Sequence, residues 1–329
     1  MKTIVALGLL LLGACAVSAP RPAADPLPSW NDGSVKQSVL AFVAGVADPS
    51  GPRFVPIDER IAVFDNDGTL WSEKPTYFQL LFILDRIRAL APGHPEWTSR
   101  QPFQAVLEND MAALAASGEH GLVELAGAAQ SGMTTAEFES AVAGWIESAR
   151  HPSSGRRYTE MVFQPMLELM DLLRSNGFDV YIVSGGGIEF MRPWAERVYG
   201  VPPEQVVGSM PELTYEQRPD GPVLVRGAGV HFINDKAGKP LAVQRFIGRR
   251  PVIAVGNSDG DYEMLEWTTS GGGPRLGLIV HHTDAQREWA YDRQSSEGRL
   301  DRALDDAPAR GWTVIDMARD WRVVFPPVN

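Results

Sequence analysis

A single cysteine, Cys15, is present in 329 residues, so no internal disulfide can form and the fold must hold without a covalent staple. Basic residues are also scarce: 30 Lys and Arg stand against 41 Asp and Glu, a formal net charge of −11. That balance argues against nucleic acid or an anionic membrane surface as partner, since both call for a basic face. Past the first residues there is no apolar run long enough to span a bilayer. Internal repeats and long low-complexity segments are lacking, which leaves one sizeable domain with an insertion, or two domains at most.

The amino terminus is a separate case. Residues 1–14 are a lysine, an apolar run too short to span, and small residues, the pattern of a bacterial export signal. Leu12-Gly13-Ala14-Cys15 resembles the lipobox of bacterial lipoproteins, in which the cysteine is lipidated and becomes the first residue of the mature chain. The alternative is ordinary cleavage after Val17-Ser18-Ala19, for which Pro20 sits badly. Residues 15–29 then form a Pro/Ala-rich tether that is extended and packs poorly. The lipobox reading places the protein in the bacterial cell envelope, anchored through Cys15 alone. Ala16 is not a retention signal, so the expected site is the periplasmic side of the outer membrane.

The stretch that organises the rest of the chain begins at Ile61–Phe64. Four consecutive apolar residues read as a strand covered on both faces, as in the middle of a parallel sheet. They lead straight into Asp65, Asn66, Asp67 and Gly68. Side chains two apart on a strand point the same way, so Asp65 and Asp67 can face one pocket at the strand's carboxyl end, where open α/β sheets put their ligands. Two crowded carboxylates repel each other unless a cation or a proton lies between them, and the pair asks for a divalent metal.

Helical periodicity precedes this strand at 30–46 and resumes after it at 78–90, 103–116, 120–129 and 135–150, the last opened by a Thr134/Glu137 capping pattern. Strand signals are absent from 72–159. A further helix is expected at 157–176. A second buried strand at 179–183 ends in Ser184-Gly185-Gly186-Gly187, a hydroxyl and glycine-freed backbone amides that can cradle an anion at a helix start. Helix 190–199 comes next, then three short strands at 206–207, 213–216 and 222–225, with a hairpin turn at 218–221. Pro240 suits a first helical position ahead of a helix at 241–247. A third buried strand, 252–255, runs into Gly256-Asn257-Ser258-Asp259-Gly260-Asp261, and a fourth, 276–280, ends in His281-His282. Adjacent histidines on a strand end point to opposite sides, so one is expected at the pocket rim and the other in the packing. Thr313 begins a last strand, and Trp267, Trp289, Trp312 and Trp321 are expected in the core or at its edge.

Taken in order, these stretches resemble the four motifs of the haloacid dehalogenase (HAD) superfamily, most of whose members are magnesium-dependent phosphatases. D-N-D-G-T matches the first motif, D-x-D-G-T, and the strand ending in Ser184 matches the second. Lys239, at the helix entry, is preferred to Lys236 as the third-motif lysine. G-N-S-D-G-D departs from the fourth motif, G-D-x-x-x-D: Asn257 stands where the metal-binding acid usually is, and Asp261 matches the second acid. The resemblance implies an α/β fold, a Rossmann-like doubly wound parallel sheet built from 30–71 and 160–329. Residues 72–159 would be an inserted all-helical cap like that of phosphoserine-phosphatase-like members.

It further implies Asp65 as nucleophile, Asp67 as general acid and base, and Ser184 and Lys239 as catalytic groups. Ser184, Gly185 and Gly186 would bind the substrate's phosphate, with Trp71, Glu73 and Lys74 as pocket-wall candidates. Magnesium would be held by Asp65, Asp67 through its backbone carbonyl, and Asn257, with Asp261 orienting bound water or steadying the lysine. Asp259 remains an alternative source of the missing charge. The partner is then a small-molecule phosphate ester. A phosphotransferase using the same covalent intermediate, and a non-enzymatic metal- or ligand-binding lipoprotein of this fold, are the other readings.

The lipobox reading has a direct check. Cells grown with a radioactive fatty acid should label the wild-type protein and leave Cys15→Ser unlabelled; an unlabelled wild type, or label retained on the variant, rules it out.

Overall fold

The computed structural model describes residues 24–327, so Cys15 and the export signal lie outside the described residues. The strands are β1 (Ile61–Phe64), β2 (Asp179–Gly187), β3 (Val206–Arg218), β4 (Gly221–Phe232), β5 (Ile253–Gly256), β6 (Leu276–Thr283), β7 (Ala290–Tyr291) and β8 (Thr313–Asp316). Six of them form a parallel sheet in the order 3-2-1-5-6-8, with β4 antiparallel on the β3 edge and β7 antiparallel on the end of β6. The helices are α1 (Ser34–Ala47), α2 (Phe78–Leu90), α3 (Phe103–Glu108), α4 (Met111–Ala116), α5 (Gly118–Gln130), α6 (Thr135–Ser148), α7 (Gln164–Ser175), α8 (Ile188–Tyr199), α9 (Gly238–Ala242), α10 (Tyr262–Thr269), α11 (Arg302–Arg310) and α12 (Met317–Asp320).

The unbroken apolar run of β1 has its cause in this arrangement. Alternate residues of a strand face opposite ways. Ala62 and Phe64 enter one core with Val180, Ile182 and Val255, beneath α1, α7 and α8. Ile61 and Val63 enter the other with Val183, Val207 and Ala254, beneath α9, α10 and α11. A sheet covered on both faces is the doubly wound α/β arrangement expected from the sequence.

The helices α2 to α5 add a third core of their own, built on Leu84, Ile87, Trp97, Phe103, Val106, Leu114 and Leu125. Among the described residues, 72–159 hold no strand, only isolated bridges at Thr134, Arg150 and Arg157. The expected helix at 103–116 is broken in two: Asn109 takes a left-handed φ of 56°, and Asp110 caps α4 by accepting from the amides of Ala112 and Ala113.

Other boundaries also differ from expectation. The helix expected at 30–46 begins only at Ser34, and Trp30 bridges to Trp321 instead. The one expected at 157–176 begins at Gln164, with Pro165 in the first turn, where its missing N–H costs no helical hydrogen bond, and residues 158–160 form a separate short turn. The helix expected at 241–247 turns into a π-helical stretch over Val243–Ile247. The three short strands are in fact a two-stranded ribbon of 13 and 12 residues. Its register shifts around Pro211, which has no N–H to give the ladder.

This β3–β4 ribbon reaches the helical block through Arg226. Its backbone exchanges hydrogen bonds with Met133 and Gly132 at 2.8 and 2.9 Å. The guanidinium lies 3.8 Å over the Phe138 ring, donates to Gln130 Oε1 at 2.6 Å and pairs with Glu189 of α8. Removing one member of a buried ion pair strands the other charge. Arg226→Ala is therefore expected to lower stability by about 3–5 kcal/mol in urea unfolding, and Arg226→Met combined with Glu189→Leu by distinctly less. Equal losses in both would show that packing, not stranded charge, sets the cost.

Candidate active site

The chain runs from β1 through β2 to β3 in one direction along the sheet, then returns to β5, β6 and β8 on the other side of β1. That reversal opens a crevice at the carboxyl ends of β1 and β5. Asp65 stands there, its amide still in the ladder with Val255 O at 2.9 Å. The next residues form a tight turn in which Asn66 O accepts from the amides of Thr69, Leu70 and Trp71. Gly68 has φ +74°, and a Cβ on it would overlap Asn257 Nδ2 and Glu73 Oε1, so no other residue fits.

Of the two candidate lysines, Lys239 enters the crevice. Its Nζ donates to Asp65 Oδ1 at 2.5 Å and Asp261 Oδ1 at 2.6 Å, all three groups being buried. Burial alone would lower its proton affinity, but the charges of Asp261 and Asp65 outweigh that and keep it protonated. Lys236 is exposed, in a left-handed backbone conformation, and gives its amide to Gly260 O. Asp261 is expected to orient metal-bound water or to steady the lysine, and it is on the lysine: Oδ1 accepts from Lys239, and Oδ2 accepts from the amides of Asn257 and Ser258 at 3.0 and 3.1 Å. Asp259 points away and caps α11, accepting from the amides of Asp301, Arg302 and Ala303. It supplies no charge to the crevice.

β2 continues four residues beyond its expected end, so Ser184 and the glycines lie on a strand end that leads directly into α8. The Ser184 hydroxyl is buried beside Asp67 and accepts from Gly186 N at 3.0 Å. Gln79 of α2 reaches in from the helical block, and its Oε1 accepts from Gly187 N at 2.7 Å.

Trp71 and Glu73 do not form the open pocket wall expected of them, and neither is exposed. Trp71 is fully buried, stacked on Trp194 at 4.4 Å, and its indole N–H donates to Asp67 Oδ1 at 2.8 Å. It fixes Asp67. Glu73 Oε1 accepts from Asn257 Nδ2 at 2.8 Å and the Tyr291 hydroxyl at 2.7 Å. Lys74 donates to Ser295 Oγ at 2.5 Å and pairs with Glu297 at 3.3 Å, tying the loop after β7 over this segment.

Sequence reasoning missed Gln79, the Tyr199 hydroxyl that donates to Asn66 Oδ1 at 3.1 Å, and the support beneath Gly68. His282 provides that support: its Nε2 donates to Gly68 O at 2.7 Å, and its Nδ1 lies 3.1 Å from Glu288 Oε2. His281 is turned the other way, toward Asp292 at 3.4 Å.

Burial raises the proton affinity of Asp65, with Asp261 adding to it and Lys239 opposing. Burial also raises Asp67, against the Trp71 hydrogen bond, and pushes Glu73 up to about 8. Carboxylates thus outnumber cations here. The available donors are carboxylate, backbone carbonyl and amide oxygens, the set a hard divalent ion prefers. Among the described residues no group of three His, Cys, Asp or Glu side chains is placed to hold a metal alone. A cation here must draw on a backbone carbonyl, Asn257 and water, as magnesium, which keeps several waters, readily does.

A family model described as haloacid dehalogenase-like hydrolase matches residues 62–266. Comparison with curated proteins returned no match. Among solved structures, a conserved functionally unknown protein from Anaerococcus prevotii DSM 20548 is similar at 16% identity and TM-score 0.51, over 78% of this chain and 87% of that one. A protein with unknown function from Bordetella pertussis Tohama I is similar at 17% and 0.50, over 79% and 99%. A phosphoserine phosphohydrolase-like protein from Francisella tularensis subsp. tularensis SCHU S4 shares 16% over 67% and 87%, at a TM-score of 0.34, too low to add to the argument. At these identities the first two likenesses are of fold.

The His282–Glu288 pair generates a pH prediction. Burial alone would lower the imidazole's pKa, but Glu288 raises it, and the net shift is above 6.5. A pKa raised by folding adds stability that is complete below the unfolded value and is lost as pH climbs through the folded one. His282→Gln should therefore cost about 1–3 kcal/mol near pH 6 and progressively less toward pH 9, read from paired urea titrations. A cost that does not change with pH would mean the imidazole is neutral in the fold.

Proposed function

We propose, for a chain that belongs to the haloacid dehalogenase-like hydrolases, that the reaction is hydrolysis of a small-molecule phosphomonoester through an aspartyl-phosphate on Asp65. The observation that carries this reading is Lys239, buried and bridging Asp65 and Asp261 at 2.5 and 2.6 Å at the mouth of the Ser184 turn. A buried, charged lysine on a carboxylate that faces an anion cradle suits a nucleophile that must meet a phosphate.

In this reading an Asp65 oxygen attacks phosphorus, the ester P–O bond breaks, and Asp67 gives its proton to the leaving alcohol. Burial raises the proton affinity of Asp67, the direction a general acid needs. Asp67 then takes a proton from water as that water attacks the phosphoryl group, which frees inorganic phosphate and restores Asp65. Trp71 holds Asp67 in place throughout. The Ser184 hydroxyl, the amides of Gly185 and Gly186, and Lys239 bind the phosphoryl oxygens, and positioning with charge stabilisation is most of what phosphoryl transfer needs. When bound, magnesium supplies the positive charge that offsets repulsion between Asp65 and the phosphate. The Asp65 carboxylate, the Asp67 carbonyl and the Asn257 amide oxygen would hold it. The helical block, through Gln79, would exclude water and select the substrate. On the lipobox reading this chemistry takes place in the cell envelope, anchored through Cys15.

Screening the protein against a panel of phosphate esters tests the activity. Asp65→Asn should cut turnover by at least about a thousandfold with the fold intact, and excess chelator should abolish turnover reversibly. Wild-type rates in either case would sink the assignment. Trp71→Phe keeps the stacking on Trp194 but loses the N–H, and should lower kcat about 10–100-fold, the worth of a hydrogen bond to a charged group. An unchanged kcat would mean Asp67 is positioned by other contacts.

A further inference from the structure

Asn257 leaves its site one negative charge short of the family pattern, and Glu73 lies directly behind it. The two side chains are each 1% exposed and joined by the Asn257 Nδ2 hydrogen bond to Glu73 Oε1 at 2.8 Å. The other end of the amide, Oδ1, accepts from Thr69 Oγ1 at 3.1 Å, which leaves its second lone pair free. Tyr291 gives Glu73 its other donor, at 2.7 Å. Both direct donors are neutral, and the positive charge nearest to hand on the protein is the His282 imidazole, which favours the ionised carboxylate from behind without bonding to it.

The backbone is shaped around this carboxylate from two sides. Gly68 lies against it in the nucleophile turn. Gly298, in the loop after β7, is left-handed at φ +62°, and a Cβ there would overlap Glu73 Oε1. Two segments far apart in sequence have given up side chains to make room for one acid.

We propose that Glu73 supplies, one residue removed, the negative charge that an acid at position 257 would bring to the magnesium site. Asn257 is the neutral spacer: its NH2 is held by Glu73, and this fixes the amide oxygen as the atom that faces the cation. Glu73 is thus a positioning residue, acting through Asn257. An acid at 257 in this chain would set two carboxylates in contact, which accounts for the amide.

The inference rests on the magnesium-dependent reading above, and the test separates the two. Magnesium chloride is titrated into the full-length protein by calorimetry, and thermal melting is followed with and without the metal, so that neither readout needs turnover. Glu73→Gln, near-isosteric, should raise the magnesium Kd about 10–100-fold. Asn257→Asp alone should melt lower without metal and regain more on adding it. Glu73→Gln with Asn257→Asp moves the charge back to 257, and its Kd should return to within about threefold of wild type. Should Glu73→Gln fail to fold alone, the double variant carries the test. A folded Glu73→Gln with wild-type affinity overturns the inference and leaves the activity reading standing, as does a double variant that fails to recover. A wild-type protein that binds no magnesium overturns both.

Discussion

The buried triad of Asp65, Lys239 and Asp261 is the constraint on which the site depends. It ties together three pieces of chain that meet only at the carboxyl edge of the sheet: the end of β1, the start of α9 and the loop after β5. Asp261 spends its second oxygen on the amides of Asn257 and Ser258, so the same carboxylate that steadies the lysine also sets the loop on which Asn257 stands. Burying a lysine is tolerable because two carboxylates receive it, and removing the lysine would leave those two acids facing each other in the core. With Asp67 and Glu73 close by, acidic side chains outnumber basic ones around the triad.

Around this triad the turn after β1 is held by contacts that are mostly aromatic. The stack of Trp71 on Trp194 places the indole N–H on Asp67, Tyr199 holds Asn66, and His282 holds the Gly68 carbonyl from below. None of these groups need touch a substrate. Their effect is to leave the two acids little freedom, and a polar site that does not reorganise during reaction is the arrangement that stabilises developing charge best.

The helical block and the β3–β4 ribbon close the structure from above. The block has a hydrophobic core of its own, and Arg226 joins it to the ribbon and to α8. Gln79 carries the block's contact with the anion cradle, on Gly187, the residue where β2 becomes α8. The group that the block presents at this strand end is an uncharged amide.

The sequence by itself determined the doubly wound sheet, the position of Asp65 at its carboxyl edge and the strand ending in Ser184. Each depends on local pattern: apolar runs of strand length, turn residues after them, and acids or glycines at the break. It also singled out Asn257 as the departure from its family, and Lys239 over Lys236 from the helix entry. Tertiary structure alone decided which polar atom meets which. Asp259 and Asp261 are two residues apart, yet one caps α11 and the other receives Lys239, because the short helical turn at 259–261 sends their side chains to different elements. Trp71 and Glu73 resemble pocket walls only in their nearness to Asp65. Their partners, Trp194, Tyr291 and Asn257, come from chain more than a hundred residues away, and no spacing in the sequence encodes such a meeting. The length of the β3–β4 ribbon was hidden for the same reason: its outer half is exposed and of mixed polarity, and it is a strand because its ladder partner lies opposite.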